Sequence, residues 1–401
     1  MDKISKARQF FFAGILSAIL ILGIAALTNS IDTQKFSWDF VYYIAMAQNG
    51  FAANNLASPF AYRYLTPLIV YVLVHFFGIS LENGFRIIAY SGAFLQLIGV
   101  FWFTHWITRS VKGAYIALLV TAFSLFNVKF LLFDVYRPDH LAYSIIVLQT
   151  YFAFKKKFFP LFILTMIASQ IREFNIIPLI AYLFAFASRK DRLVLFKETI
   201  ITIAGLVLAV IIPRLLIPVH ESFQFVDLNP DGILRALLAP FILTRDVNFI
   251  YSLFAYLLPI LMIINLKQIK AIFHSLGVEI QWFITVYVIL VLIFSFLGGT
   301  DFYRFSTYLF LPQAILLGFA APTSARLELA AMLVAVFIFN RIWLFFPMSD
   351  IGSYLDFYGA SATRFNWNSV WRIVECFAFI LIGYSIKRWN LIMNSRPVRS
   401  S

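Results

Sequence analysis

The chain has 401 residues, 62% of them apolar and only 13% charged. Soluble domains run nearer about half apolar and about a quarter charged, so the composition excludes a water-soluble protein. The net charge of +13 comes with no aromatic–basic motif for nucleic acid, and in a membrane chain such a surplus marks cytoplasmic loops. A lone cysteine, Cys376, excludes a disulfide framework and any CxxC metal site.

In chain order, the first apolar run covers 10–28 and follows Lys3, Lys6 and Arg8. It is long enough to span and has no small-residue cleavage site after it, so it reads as an anchor with a cytoplasmic N-terminus. Further apolar segments cover 87–107, 113–133, 140–154, 158–171, 174–188, 199–219, 248–266, 279–297, 306–322, 329–346 and 370–387. The segment 64–79 is apolar but only about 16 residues long, short for a crossing, and carries Pro67 and His75. Counted as a span, it would put Arg109, Lys112, Lys155, Lys156, Lys157, Arg189, Lys190 and Arg192 outside. Counted as an interfacial or re-entrant helix, it puts all of them inside, as the basic-loop bias requires. The reading is therefore an all-α polytopic membrane protein, a single domain over 1–401 with about twelve spans and both ends cytoplasmic. Juxtamembrane helices occupy the first outer loop, 29–80. Further outer loops cover 220–247 and 347–369, and no separate soluble domain is expected.

With this topology most Lys and Arg are cytoplasmic, while acids and a set of arginines gather at the outer ends of spans. Ionisable groups at membrane depth are costly and tend to be paired and functional, so the clustering predicts a shared outer cavity. Simple polarity of outer loops is the plainer alternative. An amphipathic helix after Trp38 places Asp39 and Tyr43 on one face. Arg63 follows Pro59 and Phe60 and precedes Leu65 and Pro67, a short element punctuated by proline. Asp134, Arg137, Pro138, Asp139 and His140 come next. Helix capping accounts for Asp134 there, but poorly for a second acid. Arg172 and Glu173 are adjacent charges in an apolar run, open to reading as a local ion pair. Gly298, Gly299, Thr300, Asp301 and Arg304 form a helix start with an acid near the cap.

The histidines (His75, His105, His140, His220, His274) are dispersed and form no HExxH, and there is no Walker A, GxGxxG or GxSxG sequence. Zinc hydrolase, ATPase and serine hydrolase chemistries are thereby excluded. No N-x-Ser/Thr sequon occurs, which favours a bacterial membrane.

The order of these elements resembles the GT-C glycosyltransferases, the superfamily of the protein O-mannosyltransferases and the aminoarabinose transferase of lipid A. The likeness covers about 1–190 in layout and is nearest to uncharacterised bacterial GT-C-like proteins. Their D-x-x-x-Y, P-F-x-x-R-x-L-x-P, R-E and G-G-T-D-x-x-R elements stand here at Asp39/Tyr43, Pro59/Phe60/Arg63/Leu65/Pro67, Arg172/Glu173 and Gly298 to Arg304. No C-terminal periplasmic domain like that of the larger members is expected.

The resemblance implies a polyprenyl-phosphate-linked sugar donor, a glycan, lipid or protein acceptor, and transfer at the periplasmic face of a bacterial inner membrane. Asp39 takes the place of the general base, supported by Tyr43, His140 and Asp301. Arg63, Arg137, Arg172 and Arg304 are candidates for the donor phosphate, since guanidinium groups bind phosphate bidentately. Asp134, Asp139 and Glu173 could orient those arginines, and Asp134 with Asp139 could hold a divalent cation. Direct attack assisted by one base implies inversion. A multispan polysaccharide polymerase or ligase, and a transporter or flippase of lipid-linked sugars, are the alternatives.

Overall fold

The computed structural model describes residues 3–35, 38–53, 56–186, 192–217, 219, 221–222, 243–297, 302–345 and 367–395. Of the expected outer loops, most of 220–247 and 347–369 lies outside these residues. Within them the fold is helical, in keeping with an all-α membrane protein. In chain order, α1 is Lys3–Ala26, α2 Phe40–Asn49, α3 Leu65–Phe77, α4 Leu81–Thr108, α5 Val111–Phe123, α6 Lys129–Phe133, α7 Asp139–Phe154 and α8 Phe158–Ser169. Then come α9 Ile177–Phe186, α10 Arg192–Leu216, α11 Leu243–Ile263, α12 Leu266–Ser275, α13 Val278–Leu297, α14 Phe302–Ser306, α15 Phe310–Ala320, α16 Arg326–Phe339 and α17 Trp367–Ser395. The strands are minimal: Ala57–Ser58 pairs in parallel with Glu221–Ser222.

Five helical stretches among the described residues are long and apolar enough to cross a membrane: Ala7–Ala26, Leu81–Thr108, Arg192–Leu216, Asp246–Ile263 and Val278–Phe296. At 1.5 Å per residue a helix needs about 20 residues to cover the hydrocarbon core. Four further apolar helices, Leu65–Phe77, Val111–Phe123, Phe158–Ser169 and Glu173–Phe186, fall short of it. The expected span 113–133 is one of the differences. It breaks after Phe123 and resumes only at Lys129, because the turn between carries Asn127, whose side chain accepts a 2.6 Å hydrogen bond from Gln96 on α4. Helices α6 and α8 end just before the motifs that begin at Asp134 and Gln170, and these breaks release side chains for pairing between segments.

Helices α5 and α15 cross at Gly113 and Gly318, where the backbones approach so closely that a Cβ on Gly113 would collide with the Gly318 carbonyl. Small residues at such crossings are what membrane helices use in place of a hydrophobic driving force. Gly23 on α1, by contrast, has open space around it. Gly113→Val is therefore expected to cost about 1–3 kcal/mol by overpacking, and Gly23→Ala to leave stability unchanged or slightly raised. Thermal unfolding of the two variants in the same detergent checks this.

Candidate functional site

Asp39 stands at the N-cap position of α2, yet its side chain caps nothing. Its carboxylate turns instead to two guanidinium groups, accepting from Arg137 Nη2 at 3.2 Å and lying 3.8 Å from Arg304 Nη1. Arg137 is fixed from its other side by Asp134, whose Oδ2 accepts from Nε at 2.7 Å. The Trp38 ring covers the guanidinium, with 3.7 Å between Cζ and ring centroid. Neither Asp134 nor Arg137 has an exposed side-chain atom. Burial pushes the Asp134 carboxyl up to about 6 even though Arg137 pulls the other way, so the pair remains largely charged at neutral pH. Helix capping, the plainer role for Asp134, does not occur. The cap of α7 is Pro138, without a side-chain bond.

One helical turn along α2, Tyr43 reaches a second group of charges. Its hydroxyl accepts from Arg63 Nη1 at 3.4 Å, and burial holds its pKa up at about 12, so it stays a neutral phenol. Arg63 Nε donates to both oxygens of Glu173, at 2.9 and 3.2 Å. Arg172 lies 3.2 Å from Asp139, both side chains fully buried. Adjacent in sequence, Arg172 and Glu173 thus pair outward with different helices rather than with each other, which removes the local ion-pair reading. Tyr143 on α7 donates to the Arg304 carbonyl at 3.0 Å and so holds the α14 turn against the cluster.

The structure therefore brings together Asp39, Tyr43, Arg63, Asp134, Arg137, Asp139, Arg172, Glu173 and Arg304. They come from segments as far apart in sequence as Asp39 and Arg304, which pair with each other. Asp301 lies outside the described residues. His140 is fully buried beside Asp139 but adds no bond to this web. The expected open cavity is not what these side chains form. They are buried and paired, and only Glu173, its side chain 47% exposed, opens to the surroundings. Asp134 and Asp139 each face a guanidinium, and among the described residues no three His, Cys, Asp or Glu side chains are grouped as ligands.

Two features escaped the sequence reading: the Trp38 lid on Arg137 and the Tyr143 tie to α14. Trp38 directly precedes Asp39, and that adjacency was the available signal. Tyr143 offered none beyond its helical spacing from Asp139. Within the web the arginines are not equivalent. Arg137 is clamped by two carboxylates. None of the Arg172 nitrogens has a partner with hydrogen-bond geometry, although the residue is fully buried. The Arg304 contact with Asp39 is the longest ion pair of the group.

Comparison with protein-family models, with curated proteins and with solved structures returns no match to this chain.

Removing one member of a buried pair leaves the other charge uncompensated, at about 3–5 kcal/mol. Asp139→Ala, which takes from the fully buried Arg172 the carboxylate it faces, is expected to lose stability on that scale. Glu173→Ala vacates a position that water can enter and is expected to cost only about 1 kcal/mol. Unfolding midpoints of the two purified variants decide whether depth of burial sets the cost.

Proposed function

We propose that the chain is a membrane glycosyltransferase of GT-C layout that moves a sugar from a polyprenyl-phosphate-type donor to an acceptor at the outer face of a bacterial cytoplasmic membrane. The observation that supports it best is the convergence of four arginines and four carboxylates, from separate helix breaks, around the Asp39–Tyr43 face of one short helix. An enzyme that must bind a phosphate and also accept a proton needs both kinds of group at one place.

The roles divide along the geometry. Arg137, held by Asp134 and Trp38, positions Asp39. Arg172, with nitrogens that lack hydrogen-bond partners, and Arg304, with the longest pair, receive the donor phosphate, and Arg63 flanks them. The acceptor O–H approaches the anomeric carbon and passes its proton to Asp39. A new C–O bond forms at that carbon as its bond to the phosphate oxygen breaks on the opposite side. The leaving lipid phosphate takes the electron pair, and the arginines bear its added charge. One displacement inverts the anomeric centre. The apolar segments other than 64–79, five of them long helices among the described residues, make about twelve crossings with both ends inside in this reading.

Asp39→Asn keeps the shape of the side chain but cannot accept a proton at neutral pH. It is expected to lower transfer by about 10²–10⁴-fold while donor-lipid binding persists. Arg172→Ala or Arg304→Ala is expected to weaken donor binding by about one to two decades. If carboxylate and arginine variants instead alter movement of lipid-linked sugar across the bilayer and leave transfer intact, a transporter or flippase replaces this reading.

Topology is tested separately. Lys35 and Lys156 both have exposed side chains, 77% and 55%, and the native Cys376 is buried. A membrane-impermeant maleimide added to whole cells is expected to label Lys35→Cys and spare Lys156→Cys. The reverse pattern would place the cluster on the cytoplasmic side.

A further inference from the structure

Helix α12, Leu266–Ser275, is joined to α11 and to α13 by short links, and both neighbours contain a membrane-length apolar stretch. Links that short lay it across the ends of two crossings. Its start is fixed by Asn265, whose side chain accepts from the Gln268 N–H at 2.8 Å while Gln268 Oε1 accepts from the Asn265 N–H at 3.0 Å. Lys387 on α17 donates to the same Oε1 at 3.0 Å and to the Ile263 carbonyl at 3.2 Å. At about 3.6 residues per turn, Ile269 and Ile272 share the side that packs against the core. The opposite side carries Lys267, Lys270 and His274, all exposed. One flank between the two sides is apolar, with Leu266 80% exposed and Phe273 half-buried. The other holds Gln268, Ala271 and Ser275. Among the described residues Lys267, Lys270 and His274 have no carboxylate partner, and Glu279, close by along the chain, pairs with Lys156 at 2.7 Å.

The level of this helix follows from its neighbours. Helix α13 runs 20 residues away from it, about 30 Å. The far end of α13 meets the charged web, with Phe294 against Phe174 and Phe296 against Phe302. Helix α12 thus stands about one hydrocarbon thickness from the web. Trp282 on α13 and Trp389 on α17 are exposed near it, as indole rings are at a membrane interface.

We propose that α12 is a binding surface for the headgroups of anionic phospholipids, in the leaflet opposite the charged web, with Lys267, Lys270 and His274 facing the phosphodiesters. The surface stands whether or not the web transfers a sugar. Leu266 and Phe273 hold the helix at headgroup depth, because their flank is covered by acyl chains, and the lysine stems reach past them to the phosphates. That apolar flank beside the basic stripe favours a lipid surface over an acidic protein, which would need the stripe alone. The charge does the selecting: each lysine at an anionic membrane surface strengthens binding about fivefold, and the two together about thirtyfold.

The test uses the purified full chain in an uncharged detergent, titrated with phosphatidylglycerol or with phosphatidylcholine of the same acyl chains. Bound lipids are counted by native mass spectrometry. Phosphatidylglycerol is expected to bind saturably and more tightly than phosphatidylcholine. Lys267→Gln combined with Lys270→Gln should weaken its tightest binding about thirtyfold and leave phosphatidylcholine binding as it was. Arg192→Gln combined with Lys197→Gln removes the same number of charges from exposed positions on α10, and should change phosphatidylglycerol binding by less than about twofold. Unfolding midpoints establish that both proteins are folded, and Lys267→Gln alone, expected to cost about fivefold, serves if the double variant is not. Equal losses in the two double variants would show unlocalised charge attraction and overturn the assignment to α12. Equal affinity for the two lipids would overturn the anionic surface itself, and neither result bears on sugar transfer.

Discussion

Everything distinctive in this fold follows from the cost of holding charge inside an apolar bundle. An unpaired carboxylate or guanidinium moved out of water costs several kcal/mol even after relaxation. Arg137 and Arg172 are fully buried, and Arg63 and Arg304 nearly so. Each is answered by a carboxylate: Asp134 and Asp39, Asp139, Glu173, and Asp39 again. Four positive and four negative groups thus balance among the described residues. The pairings cross between segments, so the web fixes how the helix ends sit relative to one another as well as offsetting its own desolvation.

Such a balance bears on catalysis. Among the described residues the web carries no surplus charge, so an anion enters it by exchanging partners, and the pair with the longest contact, Arg304–Asp39, is the one considered for exchange. In the proposed cycle a phosphate replaces the Asp39 carboxylate at Arg304, while Arg137 keeps Asp39 in place. Binding of the donor would then create the base, tying the order of events to electrostatics rather than to a moving lid. Arg172 and Asp139 face each other at 3.2 Å without hydrogen-bond geometry, the least well matched of the fully buried pairs.

The membrane class and the sites of charge were legible in the sequence because both depend on composition and spacing. Asp39 and Tyr43 sit one turn apart, as periodicity requires, and the acid–arginine motifs fall at helix ends. Partner choice was not legible. Nothing local shows that Arg172 seeks Asp139 and Glu173 seeks Arg63, since those contacts are made by tertiary packing across more than 30 and 100 residues respectively. Helix limits were also hard to read. A hydropathy run such as 113–133 looks continuous, while the Gln96–Asn127 hydrogen bond and the turn it accompanies divide it in two. The same averaging hid the closed character of the site. Charges that look destined for an open cavity are instead buried in ion pairs with one another.

The most direct test of the account is a cryo-electron microscopy structure of the chain in lipid nanodiscs with a polyprenyl-phosphate-linked sugar. The account predicts headgroup phosphate density within hydrogen-bonding reach of Arg172 and Arg304, with Asp39 still on Arg137 and its contact to Arg304 broken. Bound lipid elsewhere, with all the ion pairs of the web unchanged, would contradict it.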